Sequence, residues 1–362
     1  MKIALVSYST KPRGGVVHTL ALAEALAALG EDVTVWTLGR GGDQEFFRPV
    51  DPAVRQRVVP FPDGPDGESV GERILRSIST LRDAFTPHAA EYDIVHAQDC
   101  ISANAVGRCV RTVHHIDHFT TPELAACHER AIVDPYAHVC VSAAVAAELA
   151  GGWGIKAPVI PNGVAYERFA AAAEDQAGQA RWRARLGHYV LTVGGIEPRK
   201  GSIDLLDAYA LLHARRPDHR LVIAGGETLF DYRDYRARWE QRATELGVEP
   251  IVLGPVAEDE LPSLVAAADA FAFPSVKEGF GLAAMEALAA NVPLVVRDLP
   301  VLREVFGTAA RFAATPADLA TELDHLLTTD DPARQAAGRQ LAARHTWDTA
   351  ARRHIEYYRS IS

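Results

Sequence analysis

The sequence predicts an α/β protein of two doubly wound domains, each a parallel sheet covered by helices and facing a central cleft. Short apolar, β-branched runs alternate with helix-period segments along nearly the whole chain. Around residues 165–185 the strand signal stops and the composition turns rich in Ala, Gln and Arg, which marks a boundary. At 362 residues the chain exceeds the usual limit of one hydrophobic core. We therefore expect a first domain over 1–166 and a second over 167–345, with a terminal helix at 346–362 packing back on the first.

Taken in order, Ile3–Val6 reads as a buried strand, followed by a polar loop ending in Gly14-Gly15. A helix follows, with Leu22, Leu26 and Leu29 on one face and Gly30 past its end. Val33–Trp36 completes a β-loop-α-β unit. The stretch from Gly39 to Glu68 reads as mostly loop, with a short strand at Val58-Val59. Val70, Ile74, Ile78, Leu81 and Phe85 then share a helical face, which fits a core-facing helix or peripheral contact with a membrane. Further strands are expected at Ile94-Val95, Cys109–Val113, His138–Val141 and Val159-Ile160. In the second half they fall at Tyr189–Val193, Leu221–Ala224, Ile251–Leu253, Ala270–Phe273 and Leu294–Val296. Helical patterns at Ile203–Leu212 and Leu261–Ala268 fill gaps between them, and Trp347–Tyr358 is a terminal amphipathic helix.

Bulk properties exclude several classes. A net charge of −10 argues against a protein built mainly to hold nucleic acid. No apolar run reaches the length of a transmembrane helix, and Met1 leads straight into a strand rather than a signal peptide. Cys100, Cys109, Cys127 and Cys140 lack C-x-x-C spacing and read as free thiols, so a cytoplasmic setting is expected.

Four stretches carry chemistry. After the strand closed by Pro274, Glu278-Gly279-Phe280-Gly281-Leu282 leads into a helix bearing Glu286. Its glycines permit close backbone approach, and the helix start attracts an anion. Two carboxylates beside a phosphate-attracting helix end fit a ligand with both hydroxyls and phosphate, such as a sugar nucleotide. Arg199 and Lys200 in the loop Val193–Gly201 place adjacent cations after a strand, suited to a departing diphosphate. Thr112-Val113-His114-His115-Ile116-Asp117-His118 offers imidazoles for acid–base or hydrogen-bonding work. It nearly spells the H-x-H-x-D-H run of metallo-hydrolases, but Val113 stands at the first His, and no metal is expected. Pro161-Asn162-Gly163-Val164 reads as the turn ending the first domain. The loop at Gly14-Gly15 lacks G-x-G-x-x-G spacing, which weighs against a nicotinamide enzyme.

These residues resemble those of GT-B glycosyltransferases of the retaining family 4. The likeness runs through Gly14-Gly15-Val16, Asp93–Ala97, Thr112-Val113-His114, Val141-Ser142, Pro161–Val164, Arg199-Lys200-Gly201, Gly225-Gly226, Gly254-Pro255-Val256, Ala268-Asp269 and Pro274-Ser275. It ends in Glu278 and Glu286, which match the family's E-x7-E motif. The resemblance implies two Rossmann-like domains and a UDP- or GDP-sugar donor with no cofactor. It gives Glu286 the nucleotide ribose and Glu278 the hydroxyls of the transferred sugar. Backbone at Gly279, Phe280, Gly281 and Leu282 would hold sugar and phosphate, and Lys200 the diphosphate. His114 would contact the donor sugar near the reacting carbon, and Gly15 would lie near the phosphates. Three positions depart from the family pattern: Gly195 stands where an Arg is usual, Asn291 replaces a glycine and Ala165 replaces an Asp. Arg199 is the residue available to supply the missing cation.

The expected activity is retaining, metal-independent transfer of a hexose to an unidentified acceptor. The acceptor loops would be Gly39–Glu68 and His114–Glu123, and neither the acceptor nor the donor base is legible. The rivals are a GT-B sugar-nucleotide 2-epimerase and a non-catalytic nucleotide-sugar-binding protein. Glu278→Ala is expected to cut transfer at least about tenfold and leave the thermal midpoint nearly intact.

Overall fold

A computed structural model describes every residue except 118, 120, 121 and 226–231. His118 of the histidine-rich loop and Gly226 of the Gly225-Gly226 pair therefore lie outside the described residues. The chain divides into two compact units: Met1–Gly163 with Trp347–Ser362, and Val164–Thr346.

The first unit holds strands β1 (Lys2–Val6), β2 (Asp32–Arg40), β3 (Arg55–Phe61), β4 (Ile94–Ala97), β5 (Val110–Val113) and β6 (Ala137–Cys140). They form one parallel sheet in the order β3-β2-β1-β4-β5-β6. Central β1 is buried from Ile3 to Val6, as a strand covered on both faces must be. The chain winds outward from β1 to β3, then returns to β4 on the other side, so a crevice opens between the loops after β1 and β4.

Gly39–Glu68 is mostly loop, as expected, but its strand is longer than Val58-Val59: β2 continues to Arg40, and β3 spans Arg55–Phe61 and pairs with β2 over seven residues, from Thr34↔Arg55 to Arg40↔Phe61. As an edge strand β3 tolerates Pro60 and exposes Arg55 and Arg57, which hid its pattern. The helix Val70–Phe85 turns Ile74, Ile78, Leu81 and Phe85 into the core, so that face is not available to a membrane. Among the described residues no helix is long and apolar enough to cross one.

The helix Trp347–Ile361 belongs to this unit and packs on the helix Gly14–Ala28. Its Ala350, Ala351, Ile355 and Tyr358 join Leu22, Leu26, Val33 and Val139 in one buried cluster. Tyr358 hydroxyl and His96 Nδ1 lie 2.6 Å apart, which satisfies two polar atoms in that core.

The second unit holds β7 (His188–Val193), β8 (His219–Ala224), β9 (Ile251–Gly254), β10 (Ala270–Phe273), β11 (Leu294–Arg297) and β12 (Arg311–Ala313). Its parallel order is β12-β11-β10-β7-β8-β9, with the switch point between β7 and β10. Three-residue β12 was not expected, being too short for a period-2 pattern. The Ala-, Gln- and Arg-rich stretch forms two helices, Tyr166–Glu174 and Gln176–Leu186.

Two departures from the family pattern gain a physical account. Asn291 adopts φ 60°, the left-handed conformation for which a family glycine is suited and which Asn tolerates. Ala165 occupies the N-cap of the helix Tyr166–Glu174 and supplies no side-chain cap, so an Asp there would have provided the acceptor.

Candidate active site

The loops after β7 and β10 meet at the second unit's switch point. Beyond β7 the chain makes the single 3-10 turn Pro198–Lys200, then Gly201 at φ 64°, then the helix Ser202–His213. A Cβ on Gly201 would lie 2.3 Å from the carbonyl oxygen of Pro274, so only glycine lets the two loops approach. Val276 N–H donates to the Arg199 carbonyl at 2.8 Å, which links the loops a second time.

This approach brings the charged residues together. Lys200 Nζ donates to Glu278 Oε1 at 2.6 Å, and Arg199 Nη1 donates to the same oxygen at 3.0 Å. Arg199 Nη2 also reaches Glu197 Oε1 at 3.2 Å, a residue missed in the sequence because a lone Glu before Pro198 carries no periodic signal. The Glu278 side chain is only 11% exposed, so the pair is mostly desolvated. Burial lowers the Lys200 pKa, and the Glu278 carboxylate opposes that shift. The ammonium also lies 5.0 Å from the Phe273 ring centroid. A small cavity opens here, lined by Gly194, Gly195, Lys200, Phe273 and Ser275.

The helix Leu282–Ala289 starts from Gly281 at φ 98°, where an added Cβ would stand 3.1 Å from the Phe306 ring. Its N-cap residue, Gly281, has no side chain with which to cap the first N–H groups, which suits that end of the helix to an anion. Gly279 and Phe280 are buried at the turn before it, and Leu282 opens the first turn. Glu286, half-buried one turn along, has its carboxyl pushed up to about 8, by burial first and then by Glu258. Arg168 opposes the shift and is itself paired with Glu258. That Arg168–Glu258 pair spans ninety residues of sequence and gave no local signal.

In the first unit, Gly15 lies in the first turn of the helix Gly14–Ala28, whose start faces the end of β1. One turn on, His18 is buried, four residues before Leu22 on the same face. The His114 ring meets the His18 ring edge-on at 4.7 Å. His18 Nδ1 and Asn162 Oδ1 lie 2.9 Å apart, so the turn Pro161–Val164 also fixes an imidazole. Burial holds both histidines well below the usual pKa; for His114, Arg111 adds to it, and for His18, His114 does. Both imidazoles are thus neutral at pH 7, and neither Nε2 has a hydrogen-bond partner among the described residues. The neighbouring His115 turns elsewhere, with Nε2 3.1 Å from Asp117.

Two family models divide the chain between them. Glycosyltransferase Family 4 matches residues 12–168, and Glycosyl transferases group 1 matches residues 182–343. The D-inositol 3-phosphate glycosyltransferase of Corynebacterium urealyticum is 28% identical over 100% of this chain and 96% of its own. The phosphatidyl-myo-inositol mannosyltransferase of Mycobacterium leprae is 27% identical over 100% of this chain and 97% of its own. Among solved structures, Anabaena HepE in complex with UDP and glucose has a TM-score of 0.78 at 22% identity, covering 99% of this chain and 100% of that one. At that identity the likeness is one of fold.

Proposed function

The chain belongs to the group 1 glycosyltransferases of GT-B fold, and on that premise we propose that it moves a hexose from a UDP- or GDP-sugar to an acceptor hydroxyl, retaining configuration and using no metal ion. One observation carries this reading: Glu278 Oε1 shared by Lys200 at 2.6 Å and Arg199 at 3.0 Å beside the helix start at Gly281. A hydroxyl-binding carboxylate thus touches two phosphate-binding cations, as sugar and diphosphate adjoin in the donor.

In this reading Lys200 and Arg199 stabilise negative charge growing on the departing diphosphate, a role that a divalent ion fills elsewhere. Arg199 is the cation that takes over from the residue replaced by Gly195. The bond from the anomeric carbon to the phosphate oxygen breaks, with its electron pair leaving on the diphosphate. The acceptor oxygen bonds to that carbon on the same face, and its proton passes to the leaving phosphate oxygen. Glu278 orients the sugar hydroxyls, Glu286 the ribose, and backbone N–H groups from Gly279 to Leu282 the sugar and phosphate. Gly15 lets the phosphates approach, and neutral His114 hydrogen-bonds the donor sugar. Four cysteines free of disulfides support a reducing, cytoplasmic setting.

Both full-length relatives are named for inositol-based acceptors, so a phosphorylated myo-inositol is the acceptor class to assay first. Neither is an epimerase. The test is a thermal-shift panel of UDP, GDP, UDP-glucose and GDP-mannose, followed by nucleotide release with and without myo-inositol 3-phosphate. Lys200→Ala is expected to lower transfer by about 10²–10³. If no nucleotide raises the midpoint of the folded protein and no donor is hydrolysed, the proposal fails.

A further inference from the structure

The second unit carries a cluster that the transferase reading leaves unused. His188 opens β7, His219 opens β8 and Asp269 immediately precedes β10, three strands adjacent in the sheet. We propose that these residues form a zinc-binding site at the N-terminal edge of that sheet.

The sheet itself fixes the arrangement. His188 and His219 are direct partners in the parallel ladder, so their side chains leave the same face, and their rings lie 5.3 Å apart. Asp269 is held from the other side: its Oδ2 accepts the Tyr189 N–H at 2.9 Å and lies 3.2 Å from His188 Nδ1. One ligand atom from each residue falls within 4.8 Å of the others. A tetrahedral zinc site with bonds near 2.0–2.1 Å needs ligand atoms roughly 3.3 Å apart. The His188 side chain, 65% exposed, is free to close that difference by rotation.

The donor set selects the ion. Two imidazoles and one carboxylate suit zinc and its neighbours, whereas calcium and magnesium favour all-oxygen sites. All four cysteines lie in the first unit, so no thiolate competes here. Three protein ligands leave a fourth position for water, which makes the site exchangeable. The Tyr189 N–H bond orients the carboxylate as an outer-shell partner does in metalloproteins.

The site is remote from the donor residues. It lies at the start of β7 while Lys200 follows its end, and six strand residues rise about 17–20 Å. Zinc there would tie together β8, β7 and β10, whose C-terminal ends carry the donor loops, and act on stability rather than on the reacting atoms.

The test is calorimetric titration of zinc into the full-length chain after chelation and buffer exchange. One site per chain is expected, with a Kd on the order of micromolar and a midpoint raised by a few degrees. His188→Ala alters an exposed side chain and retains the fold; it should weaken this site about tenfold or more. His219→Gln should do likewise, with circular dichroism checking that it folds. Cobalt in place of zinc should give visible d–d bands that lack thiolate charge transfer and vanish in the His188→Ala variant. Absence of zinc binding by the native chain, or equal affinity in a folded His188→Ala variant, overturns the proposal.

Discussion

Glu278→Ala perturbs both the chemistry and the fold of the donor loops. The carboxylate accepts hydrogen bonds from Lys200 at 2.6 Å and Arg199 at 3.0 Å while only 11% exposed. Charge-assisted hydrogen bonds are worth about 1.5–3 kcal/mol each, and their loss here leaves two cations short of a partner. Arg199 retains Glu197, and the 21%-exposed Lys200 can draw in water, so the net cost is about 2–4 kcal/mol. In a unit of this size each kcal/mol lowers the midpoint by about 2–4 °C, which gives a fall of roughly 5–15 °C. The nearly unchanged midpoint expected from sequence is revised accordingly. Diphosphate should partly replace the missing carboxylate, so UDP should raise the midpoint more in the variant than in the native protein. Transfer should nevertheless fall at least about tenfold, because the sugar has lost its orienting acceptor. Scanning fluorimetry with and without UDP, and chromatographic assay of released nucleotide, read the two effects separately. An unchanged midpoint would refute the buried ion cluster; native-like turnover would remove Glu278 from the sugar site.

Two further predictions address the same loops. Burial and Glu258 push Glu286 up to about 8, so between the ordinary glutamate value and pH 8 the native state holds a proton that the unfolded chain releases. This group therefore makes stability fall as pH rises through that window. Glu286→Gln cannot ionise, and its midpoint advantage over the native protein should grow from pH 5 to pH 8, by an equivalent of about 2 kcal/mol after allowing for partial exposure. A pH-independent difference in midpoint would refute the shift. Gly201→Ala combines φ 64° with a Cβ 2.3 Å from the Pro274 carbonyl, and should cost about 3 kcal/mol or more in urea denaturation. An unchanged urea midpoint would mean that the two loops do not require this approach.

Most of the sheet was legible, because a strand buried on both faces must be continuously apolar. Ala270–Phe273 was read with its observed ends for that reason. β3 was reduced to a fragment because an edge strand has one solvated side and carries Arg55, Arg57 and Pro60. In the site, glycines and charges following strands revealed Lys200, Arg199 and Glu278. Their sharing of one carboxylate oxygen did not show, because it depends on how closely Gly201 lets two distant loops approach. His18 and Asn162 were hidden differently. His18 sits on an apolar helical face that reads as core, and Asn162 sits in a turn whose amide reads as a turn former. Only the fold places them 2.9 Å apart.

The return of residues 347–362 to the first unit sets the order in which the protein can be completed during synthesis. When Gly163 emerges, all six strands of the first unit have been made, but its cluster around Leu22 and Leu26 lacks Ala350, Ala351, Ile355 and Tyr358. His96 at that moment has no Tyr358 hydroxyl beside it. The intervening stretch Val164–Thr346 is contiguous and can close its own core as it is made, which takes on the order of 10–40 s at ~5–20 residues per second. The half synthesised first is thus the half sealed last. Throughout that interval a nascent chain presents an uncovered apolar groove, the stage at which chaperone capture or misassociation has its longest opportunity.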